Sequence, residues 1–181
     1  MIMYALKVLG KLSLLILSFS MFISCAHPEA ITGVTIDTYF DLFVKNNNGH
    51  NLLNPNTLGY FNPDQIRIYY GQNGKKVEVY NPNLDSPRGF KITKNEGNNE
   101  YFIRIFQSDA SVEKEKITTY IQWRSGLEDT IQTQIAKPNT SNILTSKIWY
   151  NGKLMYDVNT APSYVDWGNG QFRRLLEVIK Q

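Results

Sequence analysis

Apolar and polar positions alternate along most of this chain. Phe40, Leu42 and Val44 interleave with Asp41, Phe43 and Lys45, and Ile66, Ile68 and Tyr70 interleave with Gln65, Arg67 and Tyr69. A period of two sends successive side chains to opposite faces of a pleated backbone, so both segments read as half-buried strands. Val77 and Val79 follow the pair Asn73-Gly74, which tolerates the positive φ of both central positions of a type I′ turn and therefore predicts a hairpin. Asn151-Gly152 plays the same part between Ile148-Trp149-Tyr150 and Leu154-Met155-Tyr156. Between the two hairpins lie Phe90-Lys91-Ile92, the run Tyr101 to Phe106 and the run Ile117 to Trp123. A Ser125-Gly126 turn then leads into Leu127 to Ile135, with Ile131, Thr133 and Ile135 on one face. At the C-terminus Phe172, Leu175, Leu176 and Ile179 have helical spacing, whereas Glu177-Val178-Ile179 suits a strand; a closing strand is the reading taken.

About nine short strands at regular spacing, with no long helix between them, predict an all-β fold: an antiparallel sandwich of about seven to nine strands rather than a βαβ arrangement. Asn54-Pro55, Asn62-Pro63 and Asn81-Pro82 punctuate its boundaries and break helices.

The N-terminal segment departs from this pattern. Lys7 and Lys11 precede the apolar stretch Leu12 to Ile23, which closes on the small Ser24 before Cys25, the single cysteine of the chain. That is the order of a secretory signal, and the stretch falls short of the ~20 residues that span a bilayer. The run Phe22-Ile23-Ser24-Cys25 resembles the lipobox of bacterial lipoproteins. The resemblance implies cleavage between Ser24 and Cys25 and acylation of Cys25 with palmitate-type chains. Two or more such chains, at about 0.8 kcal/mol per buried methylene, anchor stably to a membrane. Residues 1–24 are then a lipoprotein signal peptide, residues 25–34 a lipidated tether containing Pro28 and Gly33, and residues 35–181 the β-sandwich domain.

Loss of the signal changes the charge balance. Removing Lys7 and Lys11 from 19 Lys+Arg leaves 17 against 16 Asp+Glu, a net charge of +1. A nearly neutral domain has no electrostatic footprint for nucleic acid. The pairs Lys75-Lys76 and Arg173-Arg174 read as solvated faces. With Cys25 acylated no thiol remains for a disulfide, so the core alone must hold the fold.

A second resemblance lies in the domain itself. The stretch Phe43-Val44-Lys45-Asn46-Asn47-Asn48-Gly49-His50-Asn51-Leu52-Leu53-Asn54-Pro55, the strand Ile66 to Tyr70 and the Ile148 to Lys153 hairpin are similar to those of small uncharacterised lipoproteins of Bacteroidota. That similarity implies an immunoglobulin-like sandwich on the outer membrane and brings no activity with it. Surface-exported lipoproteins of this kind carry an acidic cluster after the acylated cysteine. Here Ala26 to Ala30 holds only Glu29, so the periplasmic face is favoured over the cell surface.

The residues that could carry chemistry are few. His27 stands two positions from the expected anchor and His50 follows Gly49 in a turn, so neither reads as a held imidazole of a nucleophilic triad. There is no G-x-S-x-G, no H-E-x-x-H and no phosphate-binding glycine loop, and Glu128-Asp129 point to opposite faces of a strand and read as surface charges. Asn46 to Asn51 has the turn shape of a calcium loop but amides where carboxylates are needed, so no metal site and no cofactor is assigned. Asp129-Thr130-Ile131 resembles the O-glycosylation tripeptide of Bacteroidota, which makes Thr130 a candidate acceptor.

Binding is the stronger class. Trp123 and Trp149 lie on strands and read as packing residues, while Tyr164, Asp166 and Trp167 fall in a stretch read as a loop. An aromatic there beside an acid can stack on a sugar or a partner protein, or fold back and cap the sandwich. The expectation is an envelope-anchored, non-enzymatic lipoprotein that binds a glycan or an envelope protein. The alternative is a structural subunit of a surface assembly that pairs through an edge strand. A hydrolase comes third.

Overall fold

The computed structural model describes residues 35–107, 116–139, 142–162, 164–168 and 170–181. The expected signal peptide, Ser24, Cys25, His27 and the tether lie outside the described residues. Thirteen strands and no helix make up the secondary structure among those residues.

In chain order the strands are β1 (Thr35–Asp37), β2 (Phe40–Asn46), β3 (Arg67–Gln72), β4 (Lys75–Glu78), β5 (Phe90–Lys94), β6 (Tyr101–Ile105) and β7 (Lys116–Arg124). They continue as β8 (Leu127–Asn139), β9 (Asn142–Tyr150), β10 (Lys153–Asp157), β11 (Val165–Trp167), β12 (Gly170–Phe172) and β13 (Leu175–Lys180). A seven-stranded sheet has the order β1-β9-β8-β7-β3-β4, with β10 also paired to β9. A four-stranded sheet has the order β13-β2-β6-β5, and β11 and β12 form a small hairpin.

Both Asn-Gly hairpins are present. Asn73 and Gly74 have φ of 50° and 75°, and Asn151 and Gly152 have 48° and 82°, the doubly positive pair that a type I′ turn needs. The closing segment is a strand, β13, and its alternating burial follows the period of two.

The fully antiparallel arrangement is corrected at two pairings. β1 runs parallel to β9, with Ile36 opposite Ile143, and β13 runs parallel to β2, with Leu176 opposite Leu42. Strands joined by tight turns must be antiparallel, and those pairings are so here. β1 and β13 have no tight turn to their neighbours, and a period of two fixes which face is buried but not the direction of the strand. The count of thirteen exceeds seven to nine in part because the three-residue strands β1, β11 and β12 are too short to show any period.

The two larger sheets share one core, which makes the layering sandwich-like. The four-stranded sheet supplies Phe40, Leu42, Val44, Ile103, Ile105 and Val178, and the seven-stranded sheet Ile68, Ile121, Trp123, Ile131 and Ile148. Leu52, Leu53, Phe61 and Ile66, from the connection between β2 and β3, close one margin. Phe61 stacks on Trp123 with ring centroids 4.9 Å apart. Each such side chain contributes about 1.5–3 kcal/mol by leaving water. Trp149 lies on the other face of β9, half-buried, with the Lys116 ammonium 4.7 Å from its ring centre.

Candidate functional site

The strands on either side of the Asn73-Gly74 turn form one wall of an open groove of about 740 Å³. After β4 the chain turns back on itself. The Val79 N–H donates to Ile68 O at 2.9 Å, Asn81 Oδ1 accepts the Asn83 N–H at 3.1 Å, and the Asn81 N–H donates to Pro87 O at 2.8 Å. The Asn-Pro pair thereby starts a loop whose two ends are tied together. Gly89 closes it at φ 74°, where a Cβ would stand 2.8 Å from Val79 Cγ1, so the close approach requires glycine. The Phe106 N–H then donates to Gly89 O at 3.0 Å, and the Tyr70 hydroxyl donates to Phe106 O at 2.8 Å. These bonds join the loop, β3 and the end of β6 around the groove.

Its walls carry the aromatic rings of Tyr39, Tyr70, Tyr80 and Phe106. Four large apolar residues exposed to solvent also line it: Ile36 (59 %), Val77 (43 %), Tyr80 (68 %) and Leu84 (57 %). Gln72, Glu78, Asn81, Asp85 and Gln107 supply hydrogen-bonding groups, and among the described residues no Lys, Arg or His lines the groove. Glu78 pairs with Arg67 at 3.3 Å. Gln107 is buried, and its Oε1 accepts the Thr133 hydroxyl at 2.6 Å while its Nε2 has no partner among the described residues. The Thr119 hydroxyl, on the residue paired with Tyr70 in the sheet, is also without a partner among them.

Two buried charge clusters lie elsewhere. Asp129 is 3 % exposed, which corrects its reading as a surface charge; Glu128 alone is exposed, paired with Lys76. The Asp129 carboxylate accepts from Lys180 Nζ at 2.6 and 2.7 Å, Trp123 Nε1 at 2.5 Å, Asn151 Nδ2 at 2.8 Å and the Tyr150 hydroxyl. Burial alone would raise its pKa, but the bonds from Lys180, Tyr150, Asn151 and Trp123 hold it below the ordinary carboxylate range. Burial, and then the charge of Asp129, push the Tyr150 phenol well above its usual value. With every lone pair engaged, this cluster is a structural tie between β8, β9 and β13.

The second cluster corrects Arg173-Arg174 as a solvated pair. Arg174 is 3 % exposed, donates from Nε to Tyr39 O at 2.7 Å and pairs with Asp37, while Arg173 remains exposed and donates to Asp37 Oδ2 at 2.6 Å. Asp41 is fully buried and held by Arg104 at 2.8 and 2.9 Å. Burial outweighs that partner and raises the Asp41 pKa, and the hydrogen bond to Asp41 raises that of Arg104.

The residues singled out from sequence do not meet at the groove. Trp167 lies on β11, half-buried, its ring 4.8 Å from Phe43, 5.6 Å from Phe172 and 6.0 Å from Phe102. Asn95 Nδ2 donates to its carbonyl. The stretch read as a loop is therefore partly strand, and this ring is packed. Tyr164 and Asp166 are exposed; Tyr164 borders a smaller cavity of about 230 Å³ together with Arg173. Thr130 is half-buried on the outer face of β8, and its N–H donates to Asn151 Oδ1 at 2.8 Å. His50 is exposed in a turn where Asn46 Oδ1 accepts the N–H groups of Asn48 and His50. Among the described residues no three His, Cys, Asp or Glu side chains converge as metal ligands.

Sequence reasoning missed the groove. Tyr70 and Phe106 end strands and read as core, and Gln107 falls just past a strand. The available signal was Leu84, an isolated large apolar residue in an Asn, Pro, Ser and Gly loop where burial gives no reason for it. Comparison with known proteins found no matching family model, no matching curated protein and no matching solved structure.

Proposed function

We propose that this chain is an envelope-anchored lipoprotein whose immunoglobulin-like β-sandwich is a non-catalytic binding module, and that the groove beside β4 is its binding site. The observation that carries this reading is the coincidence of the groove with Ile36, Val77, Tyr80 and Leu84, four exposed large apolar side chains gathered on one concavity. Its volume falls within the ~300–1,000 Å³ of small-ligand sites. Acylation of Cys25 holds the module at the outer membrane, facing the periplasm, as the lipobox resemblance and the single acid of the tether favour.

A structural role in an assembly is the second reading. β13 is an edge of its sheet and leaves Ile179 62 % exposed, a surface on which a strand of another protein can pair. A photo-cross-linking side chain placed at Tyr80 or at Ile179 in intact cells separates the two. Adducts from Tyr80 are expected. Adducts from Ile179 alone, in a protein ladder, would favour the assembly.

A further inference from the structure

We propose that the groove beside β4 docks onto a zwitterionic phospholipid surface; this rests on the anchored binding reading above and names the partner of its site. Position carries the inference. Ile36, on the groove wall, is the second residue of β1, so the described domain begins at the groove. The strand ends agree: β2 starts at Phe40 and β5 at Phe90, both opposite Ile105, the last residue of β6. Tyr39, Gly89 and Phe106, beside those ends, line the groove. Thr35 stands ten positions after Cys25, a stretch that spans at most about 35 Å when fully extended. Acylation of Cys25 therefore holds the groove within one tether's length of the bilayer. The opposite end of the sandwich lies farther away by the length of β8, thirteen residues at ~3.3 Å each, about 40 Å. Leu58, 97 % exposed, belongs to that end: its loop leads into β3, whose first residue Arg67 pairs with Gln122 beside the β7–β8 turn, and Phe61 of the same loop stacks on Trp123.

The side chains at the groove suit that surface. Ile36, Val77 and Leu84 present aliphatic groups to solvent, and Tyr80 presents an aromatic body with a polar tip. That mixture settles where headgroups meet acyl chains. Exposed apolar groups gathered on one patch mark a contact surface, and here the bilayer is the surface that the anchor brings to them. Asp85, exposed on the same wall, is repelled by an anionic headgroup and can accept from the ammonium of phosphatidylethanolamine, which selects a zwitterionic lipid. Docking by apolar burial is not screened by ions, so it should persist in salt.

The test uses the full-length acylated protein in vesicles of phosphatidylethanolamine and phosphatidylcholine. Leu84→Cys is labelled with an environment-sensitive fluorophore, acylation having consumed the thiol of Cys25, and quenching by lipids that carry a nitroxide just below the headgroup is read. Leu58→Cys, at the far end, is the control. A group held about 5–10 Å into the interface meets the nitroxide, so the Leu84 label should be quenched about threefold or more over the Leu58 label. The difference should be the same in low and in high salt. Both sites are exposed, so thermal melting should be unchanged, and Tyr80→Cys repeats the reading from a second wall residue should Leu84→Cys disturb its loop. Equal quenching of the near and far labels, or a difference that vanishes in high salt, would overturn the inference. If the groove labels stay unquenched while Tyr80 still cross-links in intact cells, only the partner is wrong and the binding reading stands. If Tyr80 also gives no adduct, that reading falls with it. Failure of the full-length protein to stay on the vesicles would remove the anchor and this inference together.

Discussion

Asp129 shows how one residue couples sequence parity to stability. It shares its strand face with Ile131, Thr133 and Ile135, so the period of two already placed it inward; reading it as surface gave its charge more weight than its position. Lys180 shares parity with Leu176 and Val178 in the same way. What the sequence could not show is that these two inward charges meet, because they lie on β8 and β13, far apart along the chain. Asp129→Ala leaves the Lys180 ammonium buried without its partner and should cost about 3–5 kcal/mol in urea unfolding. The pH dependence follows from the shifts. Because the folded-state pKa of Asp129 is lowered, its contribution is present above the ordinary carboxylate pKa of ~3.9 and is lost as pH falls below it. Because that of Tyr150 is raised, its contribution is present below ~10 and declines as pH rises beyond it. Stability measured from pH 3 to 11 should therefore fall at both ends, and Asp129→Asn should flatten the acid limb. An unchanged acid limb in that variant would show that other carboxylates set it.

Elements differ in how much of them local sequence reveals. The β3–β4 and β9–β10 hairpins were legible because Asn-Gly states the turn type directly and the flanking alternation states the strands. The β11–β12 hairpin was not, since three-residue strands carry no period and Trp167 is placed by contact with Phe43, Phe102 and Phe172, which are distant in sequence. The parallel docking of β1 and β13 is likewise set by open sheet edges rather than by a connection. Trp167→Ala should destabilise the fold by about 3 kcal/mol through the cavity it leaves among those rings, with little effect on ligand binding. At the loop after β4, Gly89→Ala would force an L residue to φ 74° and press its Cβ on Val79, so a loss of about 1–2 kcal/mol is expected together with weaker binding. Chemical denaturation of both variants, with cross-linking from Tyr80, separates the two effects.

At the scale of the whole molecule, we propose that a β domain with a single cysteine in its chain, and so no internal disulfide, is tied to a membrane by lipid. Cys25→Ala should abolish acylation and leave unprocessed precursor; an unmodified Cys25 thiol in the native mature protein, seen by mass spectrometry, would contradict the anchor. Protease treatment of intact cells should leave the domain intact if it faces the periplasm. Without a covalent brace the fold depends on one core shared by two sheets, and among the described residues the groove beside β4 is a concavity where four exposed large apolar residues collect. The central claim is that this groove is the working surface. Hydrogen–deuterium exchange compared between the protein in isolated envelopes and the same protein purified tests it most directly. Added protection confined to residues 70–89 and 106–107 in the envelope is predicted, and protection along β13 instead, or none at the groove, would contradict it.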